Sequence, residues 1–244
     1  MKHKFFLFAV LSLLACVLNA QTAINKKVIW DYPVKPGSDE WRETSYNEKI
    51  QRSQPSKDIM NSWNTETLFQ YCIDYPFNKA ILLFNNPNEG FKNVYEQSSV
   101  WKEFIQREDA ISVFMKHIEL RPYEKLFKTN KIEERNNELF ILFFLDKIVS
   151  ETNFAANLDL LNRKKLAKII LQNHQNKEIY PEEFTGFHYN SSLSAILKIL
   201  ATDGISSEDE ISQTNFRNKT NDEYFVDEAM DSLIIKETIN YINK

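Results

Sequence analysis

The sequence predicts an all-α protein, an irregular multihelical array or α-solenoid-like domain built around one buried helix at about residues 131–150. Three observations carry this. Only 4 glycines occur in 244 residues, where average usage of about 7% would give roughly sixteen, and a turn-rich β architecture would struggle on so few. Apolar residues recur mostly at steps of three, four and seven, the period of a helix with one buried stripe. Finally, Leu139 to Leu145 is apolar without a break, which covers every side of a helix. Such a helix must be surrounded, and at this length the surround is protein rather than lipid.

Residues 1–20 have the layout of a secretory leader. Lys2 and Lys4 precede an apolar stretch from Phe5 to Leu18, and Leu18-Asn19-Ala20 places a small residue before Gln21, where cleavage is expected. The stretch is shorter than the ~20 residues needed to span a bilayer, so no transmembrane segment is expected after cleavage. An alternative is a lipoprotein, because Leu13-Leu14-Ala15-Cys16 resembles a lipobox with Cys16 as the lipidated residue.

Residues 21–37 read as an extended arm, since Pro33 and Pro36 disfavour helix before them. Residues 38–244 read as a single helical domain. Ser38 followed by Asp39 and Glu40 is a helix start, the hydroxyl capping a free N–H and the carboxylates opposing the dipole. Asn64 or Thr65 begins a helix carrying Leu68, Phe69, Cys72 and Ile73, which Pro76 stops. Phe77 to Phe84 reads as a short apolar helix closed by Asn85-Asn86-Pro87, with Gly90 beyond the turn. From Phe91 to Lys128 one stripe runs through Val94, Trp101, Phe104, Ile105, Ile111, Phe114, Met115 and Ile118, with Pro122 bending or interrupting it.

After the central helix, Leu166, Ile169 and Ile170, then Leu193, Ile196, Leu197 and Leu200, predict two surface helices whose lysines take the opposite faces. Ser206 to Asn221 is a polar connection or a short helix. The last helix, from about Asp222 to Tyr241, is expected to bury Val226, Met230, Leu233 and Ile234.

The formal charge is −4 for the whole chain and becomes more negative once Lys2 and Lys4 leave with the leader. That sign argues against a nucleic-acid partner. Past the leader Cys72 is the only cysteine, which excludes an intrachain disulfide and suits a small buried hydrophobe. His117, His174 and His188 show no zinc-enzyme spacing, and no calcium loop is present, so no metal is expected. Glycine spacing excludes the P-loop, the dinucleotide fingerprint and the G-x-S-x-G elbow. No cofactor and no catalytic residue are assigned.

One stretch stands apart. Tyr180 to Asn190 concentrates aromatics, acids, a histidine and an amide in what reads as a loop between helices. Tyr180, Glu182, Glu183, Phe187, His188, Tyr189 and Asn190 are its candidate binding residues, because loop aromatics bury large area at small entropic cost. The competing reading has Phe184 and Phe187 plugging the loop onto the core while Glu182 and Glu183 cap the next turn.

Leu18-Asn19-Ala20-Gln21, Pro33-Val34-Lys35-Pro36-Gly37-Ser38-Asp39-Glu40-Trp41, Tyr71-Cys72-Ile73-Asp74-Tyr75-Pro76 and the Asn85 to Phe91 turn resemble uncharacterised exported helical proteins of Bacteroidota. The resemblance implies export and envelope residence and transfers no site residue. The expected function is a non-catalytic protein- or peptide-binding scaffold of the cell envelope, periplasmic or extracellular. The alternatives are an envelope enzyme acting on glycans through Glu182, Glu183, His188 and Tyr189, and a carrier of a small apolar ligand around Phe140, Phe143 and Phe144.

Overall fold

Short helices with side-chain caps give way to long helices as the chain proceeds, and the long ones hold the centre. A computed structural model describes residues 33–35, 37–122, 126–127, 131–179, 186–205 and 228–244, and its regular structure is entirely helical. The first helices are α1 (Asp39–Glu43), α2 (Tyr46–Ser53), α3 (Lys57–Ser62) and α4 (Thr65–Asp74), followed by a 3-10 segment at Asn78–Leu83. Then come α5 (Pro87–Gln97), α6 (Ser99–Ile105) and α7 (Ala110–Glu119). The longer helices are α8 (Ile132–Glu151), α9 (Leu160–Ile179), α10 (Gly186–Thr202) and α11 (Glu228–Asn243), with a 3-10 turn at Ala155–Asn157 between α8 and α9.

The short helices start where small polar side chains accept a free backbone N–H. Ser38 Oγ accepts from Trp41 N at 3.1 Å, Asn64 Oδ1 from Thr67 N at 2.8 Å, and Ser98 Oγ from Trp101 N at 3.3 Å. Ser45 and Ser56 do the same for α2 and α3. The stripe expected from Phe91 to Lys128 is therefore cut. Ser98 ends α5 and caps α6 at once, and a second break separates α6 from α7.

The Asn85 to Gly90 turn is also corrected. Asn86 caps α5, Pro87 occupies its first position, and Gly90 lies inside the helix rather than beyond a turn. Proline suits that position because its missing N–H would be unpaired there anyway. Gly90 allows α5 to lie directly on the 3-10 segment, where a Cβ would stand 2.5 Å from the Ile81 carbonyl oxygen. The apolar helix read at Phe77 to Phe84 is the 3-10 segment, with Ile81 buried but Leu82 and Leu83 exposed.

The buried apolar residues form one contiguous cluster from Ile50 to Tyr241. Its axis is α8, buried from Ile141 through Ser150, with Phe140 half-buried and the charged first turns in solvent. Phe144 lies 5.1 Å from the Trp101 ring and 5.3 Å from Phe91, so α5 and α6 close one side of α8. Cys72 is fully buried, and burial pushes its thiol pKa well above the ordinary value.

Helix α10 overturns the expectation of two surface helices. It packs against α8, α9 and α11, and it is buried from Ser191 to Leu197 and again at Ile199 and Leu200. Serines read as polar in the sequence, yet they are small and their hydroxyls find partners, so Ser191, Ser192 and Ser194 sit in the interior. On α11 the buried face runs through Ile234, Thr238 and Tyr241, which leaves Leu233 47% exposed. Thr238 tolerates burial by donating to the Ile234 carbonyl at 2.6 Å. Residues 21–32 of the expected arm, the connection from Ser206 to Asn221, and Val226 lie outside the described residues; Val34 and Gly37 lie within them, and Val34 is buried. Among the described helices none is long and apolar enough to cross a membrane.

Candidate functional site

Of the seven residues expected to form a binding loop, Tyr180, Glu182 and Glu183 lie outside the described residues. Gly186 to Asn190 are helical, so the loop reading is corrected there. Phe187, His188, Tyr189 and Asn190 belong to the opening turns of α10, and the side chains of the first three lie outside the described part. Asn190 is half-buried, with a buried Oδ1 that no group among the described residues bonds. What α10 brings together instead begins one residue later.

Four helices converge on a buried polar seam. Helix α8 supplies Asp146 and Lys147, α9 supplies His174 and Lys177, α10 supplies Ser191 and Ser192, and α11 supplies Asp231. Its members other than Lys147 are linked one to the next. Ser191 Oγ donates to Asp146 Oδ2 at 3.2 Å, and the Lys177 ammonium stands 3.7 Å from the same oxygen. Lys177 Nζ also donates to Ser192 Oγ at 2.9 Å, and Ser192 Oγ lies 3.1 Å from His174 Nδ1. The other ring nitrogen, His174 Nε2, is 3.0 Å from Asp231 Oδ1. Lysine donates, so Ser192 Oγ accepts from it, and toward His174 the hydroxyl accepts from a protonated Nδ1 or donates to a bare one, according to the ring tautomer.

Burial sets the electrostatics. Desolvation raises the Asp146 pKa, against the pull of Lys177 and the Ser191 hydrogen bond. Desolvation likewise lowers Lys177 from 10.5 to about 8, against the pull of Asp146. Both shifts favour the neutral forms, the response of charged groups taken out of water. Lys147 is also lowered by burial; Asn88 of α5 and Glu151 one turn on accept its hydrogen bonds.

His174, Ser192 and Asp231 are the residue types of a hydrolase triad, but the setting is wrong for nucleophilic attack. Ser192 is wholly buried within a regular helix, and its oxygen already accepts an ammonium hydrogen bond. A nucleophile must reach a carbonyl carbon, which calls for an exposed hydroxyl on a sharp turn. The solvent edge of the seam is more open. There Glu178, four residues after His174 on α9, joins His174 and Asp231, and their ligand atoms lie within 4.8 Å of one another. The sequence held half of this signal, a His and a Glu one helical turn apart; the other half sits on α11.

Two further polar clusters brace the fold. Arg163 binds Asp203 through two nitrogens at 2.6 and 3.0 Å, and the Tyr241 hydroxyl donates to Asp203, which ties α9, the end of α10 and α11 together. Glu66 of α4 lies 2.6 Å from His117 Nε2 of α7, while Arg121 approaches His117 Nδ1 at 3.0 Å. Arginine must donate, so Nδ1 accepts and Nε2 carries the proton to Glu66: the ring is neutral. Desolvation lowers the His117 pKa and the Arg121 and Lys116 charges reinforce it, outweighing Glu66. The phenylalanines once considered for a carrier pocket are in ring contact, Phe140 with Phe143 and Phe144, and Phe144 with Trp101.

Comparison with protein-family models, with curated proteins and with solved structures found no match to this chain.

Proposed function

We propose that this chain is a non-catalytic interaction module that works outside the cytoplasm and holds a protein or peptide partner on its helical surface. The observation that supports the reading most is the pairing of exposed leucines. Leu82 and Leu83 of the 3-10 segment are 58% and 80% exposed, and Leu160 and Leu161 at the start of α9 are 51% and 76% exposed. Single exposed apolar residues are ordinary, but adjacent large ones leave several kcal/mol of burial unused, at about 1.5–3 kcal/mol for each leucine. A partner that covers them recovers it. The leader-like residues 1–20 and the resemblance to exported Bacteroidota proteins support the location.

Placing a photo-crosslinking amino acid at Leu83 and at Leu161 tests this in the native host. The same macromolecular partner should be captured from at least one leucine position and not from exposed Gln51 on α2. Capture that is absent, or equal from Gln51, would overturn the reading. A carrier built around Phe140, Phe143 and Phe144 is the weaker reading, because ring-to-ring contacts fill that region.

A further inference from the structure

We propose that His174, Glu178 and Asp231 form a binding site for a divalent transition-metal cation of the zinc class, joining α11 to α9. Three features of the geometry support it independently of the interaction surface.

The first is convergence. One donor atom from each residue lies within 4.8 Å of the others. His174 Nε2 and Asp231 Oδ1 are 3.0 Å apart, close to the spacing of two donors bonded to one ion at about 2.0–2.2 Å. Glu178 is exposed on α9, one turn from His174, with a carboxylate oxygen already inside that 4.8 Å.

The second is orientation. The His174 ring is wholly buried, and its Nδ1 is held 3.1 Å from Ser192 Oγ. Metal-bound histidines ordinarily hold the nitrogen away from the metal to an oxygen partner, which fixes the ring and aims the ligating nitrogen. Ser192 does that here, and Lys177 fixes Ser192 in turn at 2.9 Å.

The third is charge. Three other partly buried carboxylates each meet a cation: Asp203 meets Arg163, Glu138 meets Arg121, and Glu66 meets Lys116. Among the described residues Glu178 has no ion pair, and Asp231 pairs only with His174. Two carboxylates around an imidazole carry a local charge that one divalent ion neutralises. The imidazole favours zinc over magnesium or calcium, which prefer all-oxygen sites. Three protein ligands leave a fourth position for water on the solvent side. On binding, a bond forms between the ion and Nε2. The single proton of the neutral ring then sits on Nδ1, which donates to Ser192 Oγ, and no proton is released.

The test is calorimetric titration of the purified full chain with Zn²⁺ at neutral pH, with Mg²⁺ in parallel. One Zn²⁺ should bind per chain, and Mg²⁺ should not bind. Glu178→Gln should weaken Zn²⁺ binding by about tenfold, and Asp231→Asn by about a hundredfold. Co²⁺ in place of Zn²⁺ should give visible ligand-field bands that the Asp231→Asn chain lacks. No saturable Zn²⁺ binding, or Glu178→Gln and Asp231→Asn chains that bind as tightly as the parent, would overturn the proposal. Glu178 is exposed, so its variant keeps the test decisive even where a change at buried His174 unfolds the chain.

Discussion

Replacing Gly90 with alanine sets two calculable effects against each other. Gly90 lies inside α5, where alanine is favoured over glycine by about 1 kcal/mol through helix propensity alone. Against that, the new methyl would stand 2.5 Å from the Ile81 carbonyl oxygen and 3.1 Å from Ile81 Cα. Both atoms are main chain and cannot rotate away, so α5 and the 3-10 segment must move apart. Overpacking of this kind costs about 1–3 kcal/mol, and an unyielding backbone neighbour puts it at the upper end. The expected balance is a loss of about 1–2 kcal/mol. For a chain of this size that is a fall in Tm of roughly 2–8 °C, read by circular dichroism on heating. Lys92→Ala, on the exposed side of the same helix, is the control and should stay within about 0.5 kcal/mol. A Gly90→Ala chain as stable as the parent would refute the close approach of α5 to Ile81.

Three other outcomes are expected. Lys177→Met removes the ammonium near Asp146 and should destabilise the fold by roughly 3–5 kcal/mol in urea unfolding, with Asp146→Asn in the same chain restoring part of it; a loss under about 1 kcal/mol would mean the pair is not desolvated. Stability should decline as pH falls below 6.5, the ordinary histidine value. His117 is depressed in the folded state, so its contribution is complete above 6.5 and is lost as pH drops toward the lower folded value; unfolding curves from pH 7.5 to 5 on parent and His117→Gln chains check this, and identical slopes would refute it. A fluorophosphonate probe should leave Ser192 unlabelled in the native chain, and labelling abolished by Ser192→Ala would show that the hydroxyl is reachable after all.

Much of the architecture was legible one segment at a time. The run from Leu139 to Leu145 placed the central helix because no amphipathic arrangement can hide seven consecutive apolar side chains at a surface. Ser38 and Asn64 marked helix starts through a local hydrogen bond that needs no tertiary partner, and Cys72 was readable as core from its spacing to Leu68. The errors share a cause. Leu233 was expected in the core and is half exposed, while Ser191, Ser192 and Ser194 are interior, because burial depends on which face a neighbour covers and on whether a hydroxyl finds a partner there. The break at Ser98 was missed because the apolar period runs on through it while the cap restarts the helix.

The candidate site was far less visible. Aromatics and acids crowd together from Tyr180 to Asn190, whereas the seam takes its α10 residues from Ser191 onward and draws on four helices. The four-residue spacing of His174 and Glu178 is present in the sequence, but it lacks the second histidine of the familiar zinc motifs.

Taken alone, the amino-acid order determined helix, its starting points and the identity of the central rod, since these follow from periodicity and hydrogen bonds a few residues long. Only the packed fold decided that α10 is interior and that His174 meets an aspartate 57 residues away. Such a meeting is set by how α9 and α11 lie across one another, and side-chain contacts between distant segments leave no periodic trace in either.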